Sequence, residues 1–256
     1  MMVNRTDIAA KGFLSPEIES CRRQLRAELA ASVAKAEAVS DRVTACLFFA
    51  DVSHYAPHET LALSFWVRCL GACQGSLLLA ERGMAPEALT LLRSGFEFLF
   101  FGAASLVDPS VFESLADGHD FERRKQARAM IREGSQGGHL TESQIALLRQ
   151  VEEEVDKPKA ALDAFAAAQR AGLGYLYASA YRGLSMMASH ATMAGTDSVL
   201  EEQPDGRAKA VFGPSMRNVE FAFGLIARCV ELGEERFMPL LSRNAVQAMP
   251  DASKGS

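Results

Sequence analysis

The sequence predicts an all-α fold, a single helical bundle of about seven to nine helices with one short hairpin near residues 198–212. Apolar residues recur at helical spacing, as in Leu25, Leu29, Ser32, Val33, Ala36, Val39 and Val43. Helix start and stop signals follow one another at helix-length intervals, among them Ser15-Pro16, Gly83, Pro86, Asp108-Pro109 and Thr141 with Gln144. Extended runs are confined to the two short stretches around Pro204-Asp205-Gly206.

Ser15-Pro16-Glu17 opens the first helix. The serine acts as cap, the proline takes the first helical position and the acid meets the positive end of the dipole. This helix is expected to run to about Val52, where Asp51 to Pro57 breaks it. The second covers roughly residues 58–81 and stops at Gly83. The third opens at Pro86 and ends before Asp108-Pro109. The fourth runs over about 110–133, closed by Gly134 and Gly137-Gly138. Thr141-Glu142-Ser143-Gln144 is a capping box for a fifth helix that ends near Lys157-Pro158. An alanine-rich sixth ends at Ala171, and the seventh covers about 175–194. After the hairpin, the last helix runs from Pro214-Ser215 to about Phe237 and restarts after Pro239. No linker or solenoid-length repeat divides the chain. Residues 1–249 read as one helical domain and 250–256 as a mobile C-terminal tail.

Apolar residues make up 48% of the chain and charged residues 23%, enough for a core that encloses a pocket. The net charge of −5 argues against a nucleic-acid coat, which carries a basic excess. Cys21, Cys46, Cys69, Cys73 and Cys229 show no CxxC spacing. Cys69 and Cys73, one turn apart in an apolar run, read as small core residues, so no metal or disulfide is expected. The first ten residues do not resemble a signal peptide. Of the two most apolar segments, 61–80 is interrupted by Arg68 and Gln74 and 96–107 is too short to span a bilayer. A cytoplasmic protein without a membrane contact is the expectation. No GxGxxG, GxxxxGK[ST] or GxSxG motif occurs, and no cofactor is expected.

The third helix carries the first candidate residues. Around Leu89 to Phe101 it is apolar nearly all round, yet Arg93 and Glu97 interrupt it at i and i+4, on one face. With no wet face there, both side chains are expected to be largely buried and bonded to each other or to the seventh helix. The seventh helix holds three of the chain's four tyrosines. Tyr181, Ser185 and Ser189 follow at i, i+4 and i+8, a stripe of hydroxyls. His190 lies five positions after Ser185, about 140° round an ideal helix, and joins the stripe only if the helix distorts. Gly183 is a place where another backbone can approach. Both helices also have a purely structural reading, a register-setting ion pair in one and a small-residue packing seam in the other.

Arg93-x-x-x-Glu97 on a buried helix, followed by Tyr181-x-x-x-Ser185 and then His190, resembles a bacterial family of helical proteins known only as a domain of unknown function. The resemblance covers roughly residues 60–235 and implies a fold and a site, with Arg93, Glu97, Tyr181, Ser185 and His190 as its carriers. The family pattern places its serine and histidine one turn apart, whereas Ser185 and His190 are five apart. A more distant similarity is to the HEPN superfamily, helical bundles that often pair and often cleave RNA without metal. Their signature is an arginine followed within a few residues by a histidine on one helix. Arg182 and His190 have seven residues between them and do not meet it. Such a site would use the arginine for the phosphorane charge and the histidine for the 2′-hydroxyl proton.

Weaker candidates complete the set. Asp51, His54, His58 and Glu59 crowd into nine residues, but Pro57 keeps the two histidines off one helical face, and an interhelix turn is the better reading. Arg123, Arg124, Lys125, Arg128 and Arg132 give the fourth helix a basic face, with His119 and Asp120 one turn earlier. His119, Arg123, Arg182 and Ser189 are therefore binding candidates beside the five above. The function expected is a ligand-binding or interaction module for a small molecule, with a HEPN-like ribonuclease acting on RNA as the alternative. Phe48, Phe49, Phe65, Trp66, Phe98, Phe100 and Phe101 exceed what one stripe per helix hides, so a homodimer is expected.

Overall fold

The two most apolar stretches of the sequence fold back on each other as α4 (Pro57–Ala80) and α5 (Ala85–Val107). Gly83 makes the turn at φ +77°, in the left-handed region open to glycine. A Cβ there would sit 2.8 Å from both the Ser215 backbone nitrogen and the Pro214 side chain. The Ser215 N–H donates to the Gly83 carbonyl at 3.1 Å, tying this corner to the start of the last helix. The computed structural model describes residues 5–48, 50–153, 162–189, 192–196 and 199–247.

Around this pair lie α3 (Ala30–Phe48) and α12 (Val219–Gln247), each packed against α4 and against each other. The core they enclose holds Trp66, Phe96, Phe100, Phe223 and Phe237, all buried. Trp66 stacks on Phe237 with ring centroids 5.2 Å apart and planes 3° apart. Gly233 makes that stack possible, because a Cβ at that position would fall 1.7 Å from the indole. By length and composition α4 and α5 are both long and apolar enough to cross a bilayer, which the reading of 61–80 as interrupted and of 96–107 as too short did not foresee. Half of each apolar window is buried against other helices, as in a core helix.

The expected first helix is two helices, α2 (Ile18–Glu28) and α3, preceded by a short α1 (Arg5–Lys11) that no sequence signal announced. The chain turns at Leu29, which has φ −111° and ψ 31°. The turn lets α2 place Arg22 and Arg26 over Glu81 while α3 lies along α12. Next come α6 (Ser110–Gln136) and α7 (Glu142–Glu153), whose predicted capping box is present. The Thr141 N–H donates to Gln144 Oε1 at 2.9 Å, and the Gln144 N–H to Thr141 Oγ1 at 3.3 Å. Asp163 caps α8 (Ala164–Arg170) by accepting from the Ala166 N–H at 2.7 Å.

The seventh predicted helix is a continuous but irregular run over 174–189. It consists of α9 (Gly174–Leu176), a π segment (Tyr177–Tyr181), α10 (Arg182–Leu184) and a second π segment (Ser185–Ser189). The short α11 (Met193–Thr196) leads to the expected hairpin, β1 (Leu200–Glu202) antiparallel to β2 (Ala208–Ala210), with Leu200 opposite Ala210. The helix α12 does not restart at Pro239 but passes through it. The ring costs the Glu235 carbonyl its helical partner, and burial of Phe237 and Leu240 on either side offsets the loss. His190 and the predicted tail at 250–256 lie outside the described residues.

Much of the apolar surface expected to drive pairing is used inside the chain. Trp66 and Phe100 are core residues, and Phe65 packs on Phe98 and Phe101 at 6.2 and 5.9 Å. Phe48 is 82% exposed, and Phe49 lies outside the described residues.

Glu81, at the C-terminal end of α4, is 1% exposed and holds three guanidinium groups. Arg22 Nε and Arg26 Nη1 donate at 2.6 Å each, and Arg82 Nη1 at 2.9 Å. Burial pushes this carboxyl up, but the hydrogen bonds and charges of Arg22 and Arg26 outweigh it and hold it below the usual range. A pKa lowered by folding means stability that is present above the unfolded value of about 4.3 and is lost as pH falls through the folded value. Removing one partner of a buried pair costs about 3–5 kcal/mol, and here the arginines are each 31% exposed and can rehydrate. Glu81→Gln is therefore expected to lose about 3 kcal/mol at pH 7 by urea unfolding and to show a shallower further loss between pH 5 and 3 than the parent. Equal urea midpoints at pH 7 would contradict this role.

Candidate functional site

Arg93 and Glu97 stand at i and i+4 on α5, so their side chains leave the helix on one face. That face is met by the 174–189 run. Thr90, one turn before Arg93, fixes the meeting, its hydroxyl lying 2.8 Å from the Ala188 carbonyl and 2.9 Å from that of Pro86. Four of the five residues singled out by pattern then converge. Arg93 Nη1 donates to Glu97 Oε2 at 3.1 Å, Nη2 to the Tyr181 hydroxyl at 2.5 Å and Nε to Ser185 Oγ at 2.8 Å. The Tyr181 hydroxyl donates to the same Glu97 Oε2 at 2.7 Å, and Ser185 Oγ donates to the Tyr181 carbonyl at 2.9 Å. The guanidinium carbon also lies 4.5 Å from the centre of the Tyr181 ring, within cation–π range.

Each proton in this cluster has an assigned direction. The Ser185 proton goes to a carbonyl and its lone pair faces Arg93, so no base is placed to make it a nucleophile. Burial, together with the Glu97 carboxylate that accepts its proton, pushes the Tyr181 phenol well above its ordinary range. The phenol stays protonated at neutral pH and cannot act as a base. An arginine carries five N–H donors and three are used here. Among the described residues, nothing donates to Glu97 Oε1. Among the described residues, two guanidinium protons and one carboxylate oxygen thus have no partner.

They face open space. The side chains of Arg93 and Glu97 are 23% and 35% exposed, not enclosed as the apolar setting of the helix suggested. They line a cavity of about 980 Å³ whose other walls are largely apolar and aromatic, from Phe101, Phe165, Tyr177 and Met186. Phe165 packs on Tyr177 at 5.3 Å, Tyr177 stacks on Tyr181 at 5.0 Å, and Tyr181 meets Phe100 edge-on at 5.7 Å. Asp163, Ser179, Arg182 and Thr192 add polar groups to the lining. The formal charges on the lining cancel, two guanidiniums against two carboxylates.

The two π segments set this face of the helix. A π turn closes between residues five apart, so it widens the helix and shifts its register, and such turns are frequent at functional sites. The distortion that the five-residue spacing of Ser185 and His190 required is therefore present, although His190 and the side chain of Ser189 lie outside the described residues. Of the binding candidates, Arg182 lines the cavity. His119 and Arg123 do not; both are exposed on α6, and Arg123 lies 3.9 Å from Asp120. The remaining basic face of α6 is largely paired, Lys125 with Glu122, Arg128 with Glu152 and Arg132 with Glu133. Gly183 takes no close backbone, since a Cβ there would meet nothing within 4 Å. Asp51 caps its own turn through Ser53, and Glu59 holds Arg243 at 2.6 Å, which accounts for the acids of that cluster. Phe165, Asp163 and Thr192 were missed, because nothing in their local sequence says that α8 and the start of α11 close over α5.

Residues 59–207 match the family model described as a family of unknown function (DUF5677), which spans more than half of the chain and takes in both arms of the cavity. No curated protein and no solved structure matches the chain.

Arg93 joins two helices through charge-assisted bonds, each worth about 1.5–3 kcal/mol before exposure is discounted. Arg132 is 69% exposed and, among the described residues, bonds only its sequence neighbour Glu133. Arg93→Ala is expected to lower the urea-derived stability by about 2 kcal/mol, and Arg132→Ala by less than about 0.5. Indistinguishable midpoints for the two variants would remove Arg93 from its place as the joint.

Proposed function

We propose that this chain, which belongs to the family of unknown function DUF5677, is a ligand-binding module whose site is the cavity between α5 and the 174–189 run. One observation carries the reading. Every hydroxyl in the Arg93–Glu97–Tyr181–Ser185 cluster already donates its proton within the protein, while spare guanidinium donors and a carboxylate oxygen face a cavity with aromatic walls. Such a site is preorganised for recognition, and among the described residues no base is set to take the proton of Ser185 or of Tyr181 for chemistry. The walls suit a small planar molecule, with Tyr177 and Phe165 against its face and Arg93 donating to an oxygen at its edge.

The test is saturation-transfer NMR on the intact chain with a panel of aromatic carboxylates and mononucleotides. At least one compound is expected to bind, and to lose about tenfold in affinity on Tyr177→Ala and on Arg93→Lys, which keeps the charge but not the fork of donors. No binder, or binders indifferent to both changes, would overturn the assignment. Metal-independent RNA cleavage is the competing outcome. Cutting of RNA but not DNA in EDTA, lost in His190→Ala, would replace binding by catalysis.

We also propose that two copies associate, with the part-exposed Phe65–Phe98–Phe101 group in support. Light scattering is expected to give twice the chain mass of 27.7 kDa at micromolar concentration, and a mass of one chain would refute the pairing.

A further inference from the structure

Cys69 and Cys73 lie one turn apart on α4, and Cys229 reaches them from α12, 160 residues later than Cys69. The three sulfurs all lie within 4.8 Å of one another, and Cys69 Sγ is 3.7 Å from Cys229 Sγ. All three residues are fully buried. The third helix of the core passes over them, with the Cβ direction of Gly95 pointing at Cys73 Sγ from 3.5 Å. Metal–thiolate bonds of about 2.3 Å, the zinc value, place three sulfurs around one ion about 4.0 Å apart. That figure is for an ion in the plane of the sulfurs and shrinks as the ion rises above it; one observed pair lies at 3.7 Å and none is more than 4.8 Å apart.

The surroundings limit which ion fits. Among the described residues, no histidine or carboxylate joins the three sulfurs. All three sulfurs are shut off from water, so a net charge on a bound complex would be buried without compensation. Three thiolates around a monovalent ion carry two negative charges, and around a divalent ion one. Around a trivalent ion they carry none, and a neutral complex avoids the cost of burying an unpaired charge.

We propose that Cys69, Cys73 and Cys229 form a three-thiolate site for one soft, thiophilic ion, and that its uncharged setting selects a trivalent one of the arsenic(III) class. The exchange balances without an oxidant. Arsenous acid loses three hydroxyls, three As–S bonds replace three As–O bonds, and each thiol proton leaves with a hydroxyl as water. No net charge is gained or lost, and no free thiolate has to exist in the core.

The experiment uses the full chain, reduced and stripped of metal, with sodium arsenite as probe. Because the site is enclosed, arsenite is added both to folded protein and during refolding from urea. After desalting, native mass spectrometry is expected to show one arsenic per chain. Cys229→Ser should reduce retention at least tenfold, whereas Cys21→Ser combined with Cys46→Ser should leave it unchanged. Circular dichroism checks the fold, and Cys69→Ala gives a second probe if Cys229→Ser does not fold. No arsenic retained by either route, or retention unaffected by both Cys229→Ser and Cys69→Ala, overturns the site. Parallel arms with copper(I) and zinc distinguish the ion, and retention of either without arsenic overturns the trivalent assignment.

Discussion

A guanidinium on a largely apolar helix finds too few acceptors on that helix, and Arg93 takes most of its bonds from elsewhere in the fold. The helical neighbour Glu97 supplies one acceptor; the other two bonds go to Tyr181 and Ser185. The helix α5 is thereby locked to a run nearly ninety residues later, and Thr90 repeats the tie one turn away. Closing these bonds brings Phe165 and Tyr177 alongside and makes the cavity wall. The same bonds that fix the packing position the side chains that face the cavity. Structural and functional readings of the cluster are two descriptions of one arrangement.

The irregularity of the 174–189 run follows from the same demand. Tyr181 has to send its ring into the core against Phe100 and its hydroxyl to Glu97, while Ser185 one turn on meets Arg93. Two π segments on either side of Arg182–Leu184 give the helix the extra width that this register needs. Stability at the turn between α4 and α5 is built differently. There Glu81 is buried and three arginines close over it, joining α2 to the end of α4. One charge cluster is open to a cavity and the other is sealed, although both are arginine–glutamate constructions.

Local physics was legible from the residues alone. Helix ends were legible at Gly83 and at Thr141 with Gln144, and so was the hairpin turn at Pro204-Asp205-Gly206. The all-α class followed, as did the Arg93–Glu97 pair, because i and i+4 share a face whatever the helix packs against. The break at Leu29 and the short α1 were not legible, since neither has a strong local signal, whereas at Pro239 the local signal points to a break that burial of Phe237 and Leu240 overrides.

By itself the sequence determined which residues share a helical face: Arg93 with Glu97, Tyr181 with Ser185, Cys69 with Cys73. Tertiary structure alone decided which faces meet. It set Arg93 against Tyr181 and Ser185, brought Cys229 to the two α4 cysteines, and left His119 and Arg123 exposed on α6, outside the cavity lining. The reason is physical. Helical periodicity is a property of a few consecutive residues, whereas the choice between apolar faces depends on volumes and buried polar groups summed over the whole core, which no short stretch of sequence contains.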